Sequence, residues 1–308
     1  MGPLPLDRAD IPDALELNLR VAVIDTMNGM EPVYPSIYNI IDTEKAIERE
    51  LVAYGLGLVP LSGENQNPTY DHGGEAWNAS YTPNLYALGQ EVSWIAIDDD
   101  IHGVIAELIK QGGNIADVAN YTMELNAMTP FNNAETSTFY TAGGTAYTML
   151  STAQFMVTGS TYANTTTNAI DLSEEALEMW YGFWRQNLVN QRGQKTLERI
   201  RTLMCSSTQK MLADRIVNTK DRRPESADND INPINSWDLN VIESPLMSTD
   251  GRYFLFGRKE STQLRWYRRM DFTVRRYPSP DNGNLRFVGL YREAHGGTSP
   301  FNIAGSTP

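Results

Sequence analysis

The densest array of hard oxygen ligands in the sequence is Asp98-Asp99-Asp100, three consecutive carboxylates of the kind that could hold a divalent cation. No supporting ligand array accompanies them. Carboxylates also suit the first turn of a helix, where they complement the positive end of the dipole. The apolar spacing of Ile101, Val104, Ile105, Leu108 and Ile109 favours that reading. Cys205, the single cysteine, sits in Arg201-Thr202-Leu203-Met204-Cys205-Ser206 with no histidine near it to activate a thiolate, and reads as a structural thiol. His72, His102 and His295 are far apart in the chain and do not form a metal-ligand pattern.

The remaining catalytic signatures are missing. Gly55-Leu56-Gly57 lacks the third glycine of a dinucleotide fingerprint, and no phosphate-cradling loop ends in Lys-Ser/Thr. Val157-Thr158-Gly159-Ser160-Thr161 is a turn rather than a nucleophile elbow. The sequence therefore assigns no catalytic residue, no cofactor and no metal. Two clusters remain that could make contacts. The first is Tyr70-Asp71-His72, with Trp77 and Tyr81 beyond it, on a polar stretch with little core of its own. The second is Arg265, Arg268, Arg269, Arg275 and Arg276, interleaved with Trp266, Tyr267, Phe272 and Tyr277. That mixture predicts a strand with a packed and a solvated face more than a platform for stacking bases.

These clusters need elements to position them. Residues 1–36 read as an extended arm with a short helix from Asp13 to Asp25. The acidic start of Asp42-Thr43-Glu44 and the apolar spacing 46/47/51 predict a short amphipathic helix, N-capped by Asp42 and ended by Gly55 and Gly57. Residues 57–95 predict a long polar hairpin, and 98–128 a long helix interrupted at Gly112-Gly113. Residues 129–169 read as loops and short strands. Helices are predicted over 173–191, with Ser173 near the cap, and over 206–218; Thr196–Cys205 between them is a strand instead on the resemblance described below. Strands are predicted at 239–243, 252–257, 263–277 and 284–292.

The chain has 308 residues, 41% of them hydrophobic and 20% charged, enough for two lobes with a real core. No apolar run approaches the ~18 residues of a membrane span, and the N-terminus lacks the basic and apolar regions of a secretory signal. The expectation is synthesis in the cytoplasm and no membrane partner. The formal net charge of −13 argues against a general nucleic-acid binder. Residues 251–308 nonetheless carry ten Lys/Arg against four Asp/Glu. The expectation is that this basic segment packs against acidic neighbours, within or between subunits; the alternative is a surface that meets phosphates.

From Ile40 onward the ordered motifs resemble those of a known family. Tyr54-Gly55-Leu56-Gly57, Tyr70-Asp71, Gly74-Glu75-Ala76-Trp77 and Tyr81 are followed by Ala87-Leu88-Gly89-Gln90-Glu91-Val92 and Ile97-Asp98-Asp99-Asp100-Ile101-His102-Gly103. Downstream come Thr158-Gly159-Ser160-Thr161-Tyr162-Ala163-Asn164, Asp171–Leu177, Arg192-Gly193, Asn232-Pro233 and Asp250–Phe256. In this order they resemble the major head proteins of tailed bacteriophages, including the group related to phage Mu and its siphophage relatives. The resemblance implies the Hong Kong 97 capsid fold, an α+β subunit that assembles into pentamers and hexamers around double-stranded DNA without reading its sequence.

On that plan residues 1–40 are the N-terminal arm, 41–56 a short helix of the peripheral domain and 57–95 the E-loop. Residues 96–165 are the peripheral domain with spine helix 98–128, and 166–260 the axial domain. Residues 261–308 return as peripheral strands and a C-terminal tail. Implied partners are other copies of the chain, a scaffolding protein, a portal and decoration or cement proteins, in a virion assembled in the host cytoplasm. The candidate contacts between copies are Tyr70, Asp71, His72, Trp77, Tyr81 and the five arginines. Some shells of this fold are joined by a bond from an E-loop lysine to an asparagine; residues 51–109 contain no lysine, so a shell without such staples is expected. An encapsulin-type nanocompartment shares the fold and is the alternative reading. A soluble hydrolase of another family, or a tail or decoration protein, is a more distant one.

Overall fold

Two runs of consecutively buried residues, Leu203–Ser206 within the strand Thr202–Ser206 and all of Tyr253–Phe256, set the architecture. Side chains of a strand alternate between faces, so a strand buried at every position needs cover on both sides. The computed structural model describes residues 32–93, 95, 104–220, 231–247, 251–278 and 284–307. These runs are β9 and β11 of a four-stranded sheet, joined by β10 (Asn240–Ser244) and β14 (Ile303–Ser306) in the order β10-β9-β11-β14. β10 runs parallel to β9, and the other pairs are antiparallel.

One face of this sheet, with Leu203, Cys205, Tyr253, Leu255 and Ala304, packs with two helices, α3 (Glu174–Asn187) and α4 (Ser207–Asn218). Ser173 caps α3 by accepting from the Ala176 amide at 3.0 Å, and Glu174 and Glu175 follow in its first turn. Its inward side carries Ala176, Leu177, Trp180 and Trp184. Burial pushes the Cys205 thiol up to about 11, consistent with a structural role.

The opposite face, with Met204, Ile242, Phe254, Phe256 and Ile303, meets the C-terminal half of a long helix, α2 (Val104–Asn132), through Met123, Ala127, Met128 and Phe131. Helix α2 passes through Gly112-Gly113 without interruption, in contrast to the expected break. Glycine weakens a helix without removing an amide donor, and the packed side from Ile115 to Phe131 holds it. Arg252 donates to the carbonyls of Phe131 and Asn132 and so closes its last turn.

A second four-stranded sheet has the order β1-β12-β13-β4, from β1 (Asn39–Asp42), β12 (Leu264–Pro278), β13 (Leu285–Gly297) and β4 (Asn84–Val92). A Cβ on Gly289 would lie 2.7 Å from Ile115 Cγ2, so the glycine lets α2 approach the sheet. Before β1 lies the single turn α1 (Tyr34–Ile37), and short pairs β5–β6 (140–142, 145–147) and β7–β8 (154–155, 161–162) fill the stretch after α2.

Three further expectations are corrected. Residues 42–51 are not a helix: Asp42 ends β1, and β2 (Glu48–Tyr54) pairs with β3 (Gly74–Tyr81). The inward positions are Glu48, Glu50, Val52 and Tyr54, so two carboxylates mask a period of two. The hairpin is therefore β2–β3, not 57–95, and β4 leaves it to pair with β13. The segment 261–308 also divides, because β14 joins the first sheet described. The helix expected at 13–25 and the aspartates at 98–100 lie outside the described residues.

Glu293 and His295, on β13, bury Oε1 and Nδ1 without a hydrogen-bond partner among the described residues. Burial pushes the Glu293 carboxyl up to about 7 and the His295 imidazole down to about 4. The raised carboxyl favours the fold below its ordinary value of 4.5, and that contribution is lost as pH climbs to about 7. The lowered imidazole has the opposite sign: its contribution is present above the ordinary 6.5 and is lost as pH falls to about 4. The two slopes oppose each other between these limits. Glu293→Gln is expected to unmask the histidine, so the stability difference between variant and wild type grows as pH rises from about 4.5 to 7. Denaturant unfolding across this range checks it, and a pH-independent difference would remove the assignment.

Candidate assembly surface

The hairpin presents two faces with different fates. Its inward face carries Val52 and Trp77, which pack on Tyr140 and Ala142. The Trp77 ring stacks on Tyr140 at 4.8 Å, and its Nε1 donates to the Thr298 carbonyl at 2.8 Å. Tyr81 shares a 2.7 Å hydroxyl bond with Thr298 and lies 5.1 Å from the Tyr267 ring. Both residues were expected to face another copy, and both are interior, at 6% and 7% exposure. Period-two alternation turned them toward the body; ring size alone had suggested a contact.

Polar groups anchor the hairpin to the second sheet. Glu50 Oε1 accepts from Arg265 Nε at 2.8 Å and from the Tyr267 hydroxyl at 2.6 Å, while its Oε2 accepts from Thr298. Arg268 bridges Asp42 and Asp271, at 2.8 Å each, and holds the Asp42 carboxyl below its usual range. Arg286 pairs with Glu91 at 2.9 Å. The acidic-neighbour reading of the basic segment thus holds within one subunit for Arg265, Arg268 and Arg286. Arg269 lines a hollow with Asp42, Thr43, Glu44 and Asp271, and Arg275 is exposed on β12. Arg276 lies on β12, and its side chain is outside the described residues.

The tip of the hairpin, residues 55–73, has no ladder of its own and leaves Leu56, Leu58, Val59, Leu61 and Tyr70 exposed, Val59 at 95% and Leu61 at 100%. Exposed apolar residues this concentrated are unusual on the surface of a separate subunit. Asp71 and His72 are exposed at the hairpin's root. Asp71 accepts from the amides of Gly57 (2.7 Å) and His72 (2.8 Å) and from Arg192 (3.3 Å), which hold its carboxyl below the usual range. The sequence reading missed Arg192 and the apolar tip. The Leu-x-Leu-Val-Pro-Leu run at 56–61 was the available signal, and it was absorbed into the polar hairpin expected over 57–95.

Among the described residues no three His, Cys, Asp or Glu side chains converge as a metal site, and no helix is long and apolar enough to cross a membrane. The sequence pattern of the phage capsid protein family matches residues 78–298. The chain belongs to that family. Solved structures agree on the fold. This capsid protein is similar to a subunit of the cyanophage P-SCSP1u capsid, at 10% identity over 89% of this chain and 87% of that one, with a TM-score of 0.56. It is similar to the capsid of a native GTA particle, at 14% identity over 90% and 91%, with a TM-score of 0.53. It is also similar to the virus-like particle from Pyrococcus furiosus, at 9% identity over 94% and 98%, with a TM-score of 0.53. No curated protein matches the sequence. The α+β architecture is of the Hong Kong 97 type, as the sequence resemblance implied, and the protein is a structural capsid subunit.

Replacing Glu50 with alanine strands a guanidinium and two hydroxyls at the hairpin's base. The expected loss is about 2–4 kcal/mol of stability, of the order seen for breaking a partly buried charge pair. Arg49→Ala, on the exposed face of the same strand, is the control and should change little. Equal effects in denaturant unfolding would contradict the anchoring role.

Proposed function

We propose that copies of this subunit close into an icosahedral shell of pentamers and hexamers enclosing double-stranded DNA, and that the β2–β3 hairpin contacts a neighbouring copy. The observation that carries the hairpin's role is its uncovered apolar tip, Leu56 to Leu61 with Tyr70. In this reading the hairpin is the E-loop, α2 the spine helix with the β1-β12-β13-β4 sheet as peripheral domain, and the α3/α4 sheet body the axial domain. Tyr70 and the solvent-facing side of β12, with Arg269 and Arg275, complete the contact surface. A scaffolding protein, a portal and decoration or cement proteins are the further partners, in a virion assembled in the bacterial cytoplasm, and the role is structural rather than catalytic. Any DNA contact would be to phosphates and not to base edges, and it is weakened by the pairing of Arg265 and Arg268 with carboxylates of their own chain.

A cargo-storing shell of the encapsulin type, which would share this fold, is the second and weaker reading. Particles containing DNA and a portal support the first reading; particles filled with an enzyme support the second. Size-exclusion chromatography with negative-stain microscopy should show closed shells of megadalton mass. A persistent small oligomer under all conditions would overturn both. Val59→Asp at the tip should abolish shells while leaving the subunit's melting temperature within about 2 °C, and normal shells would remove the hairpin contact. With no lysine in residues 51–109, heated particles should run on a denaturing gel as a single band at the 34.5 kDa subunit mass. A ladder of joined subunits would show a covalent shell instead.

A further inference from the structure

Where the hairpin leaves the body, its two strands have just stopped pairing, at Tyr54 opposite Gly74. Beyond that point one side chain from a distant element grips both exits. Arg192 Nε donates to the Gly55 carbonyl at 3.1 Å, and its Nη2 donates to the His72 carbonyl at 2.7 Å and to Asp71 at 3.3 Å. Its guanidinium also sits 5.0 Å from the centre of the Tyr54 ring. Gly74 is packed close to the same ring: a Cβ there would lie 2.5 Å from the Tyr54 hydroxyl. Asp71 closes the ring by accepting from Gly57 and His72.

The turn that offers Arg192 is itself fixed. Asn190 accepts from the amides of Arg192 and Gln194, each at 3.0 Å, and Gly193 takes the left-handed φ of 77° that the turn requires. Gln191 is buried and bonds to both the Phe155 carbonyl and the Val157 amide. A planar donor fork on a rigid turn holds two carbonyls at a set distance, which an ammonium on a flexible stem does not do.

We propose that Arg192 is the positioning residue of the hairpin: it fixes the direction in which residues 56–70 leave the body and so presents the apolar tip to a neighbouring copy. This rests on the reading that the tip meets such a copy. The test compares Arg192→Ala, Arg192→Lys and Val59→Asp with wild type, by hydrogen–deuterium exchange of unassembled subunits and by microscopy of assembled ones.

Arg192→Ala should raise exchange at the Gly57 and His72 amides about fivefold while leaving β9 and β11 protected. Its shells should be scarce or uneven in diameter. Arg192→Lys, which keeps the charge and loses the fork, should protect these amides less than arginine does. Unchanged exchange in Arg192→Ala, an equal rise in β9 and β11, uniform wild-type shells, or full protection by lysine would each overturn the proposal. Val59→Asp separates the two ideas. Normal shells from it would remove the neighbour contact, whereas exchange at Gly57 and His72 in Arg192→Ala judges the grip on the hairpin by itself.

Discussion

The aromatic joint around Phe131 is the contact on which the rest of the subunit depends. This fully buried ring, in the last turns of α2, meets Phe254 edge-on at 5.1 Å, Phe256 at 5.9 Å and Tyr38 at 6.2 Å. Tyr38 in turn sits edge-on to Trp266 of β12 at 5.5 Å and donates to the Ala127 carbonyl. One helix end therefore ties the β10-β9-β11-β14 sheet to the β1-β12-β13-β4 sheet. Without it β11 would expose Phe254 and Phe256, a strand face too apolar for water. The two lobes are held as parts of one core rather than as independently covered sheets.

The hairpin is attached by a different kind of interaction. Val52 and Trp77 anchor it through buried apolar packing on Tyr140 and Ala142, and Tyr81 through packing on Tyr267; the direction of the hairpin is set by polar groups, Glu50 at the base and Asp71 and Arg192 at the root. Polar anchoring has a directional advantage. Hydrophobic contact is roughly proportional to area and tolerates sliding, whereas a carboxylate or guanidinium with several fixed partners specifies an angle. It also leaves the apolar residues of the tip unburied in the free subunit, available for a surface elsewhere.

What the sequence made legible follows the same division. Helix α3 was readable because Ser173, two acids and a repeating apolar face agree. Strands β11, β12 and β13 were readable because their apolar content is continuous or alternates. Strand β2 was not, because Glu48 and Glu50 occupy inward positions, and the partners of Glu50, namely Arg265, Tyr267 and Thr298, are set by contacts more than 200 residues away that the local pattern does not encode. Arg192 was invisible for a related reason. It lies 121 residues from Asp71 in sequence, and nothing in Gln191-Arg192-Gly193 distinguishes a clamp from a solvated turn. Trp77 and Tyr81 were misread in the opposite direction: aromatic rings on a polar stretch were taken for contact groups, when alternation had turned them inward.

An exposed run such as Leu58-Val59-Pro60-Leu61 would ordinarily invite strand-on-strand aggregation. Its composition works against that outcome. Pro60 has no amide hydrogen to give to a ladder, and Pro68 imposes the same gap on the returning side. Between them, the turn at Gly63–Gln66 is closed on itself by the Gln66 amide to the Gly63 carbonyl and by the Gly63 amide to the Gln66 side chain, with Asn65 at a φ of 65°. A tip built this way is poorly suited to extending another sheet through its backbone. What it offers are side chains, and these find a partner only on a surface shaped to receive them. A capsid subunit has to stay separate until it meets its neighbour in one orientation. Apolar side chains on an unpaired segment interrupted by prolines, held at a fixed angle by Arg192, meet both requirements.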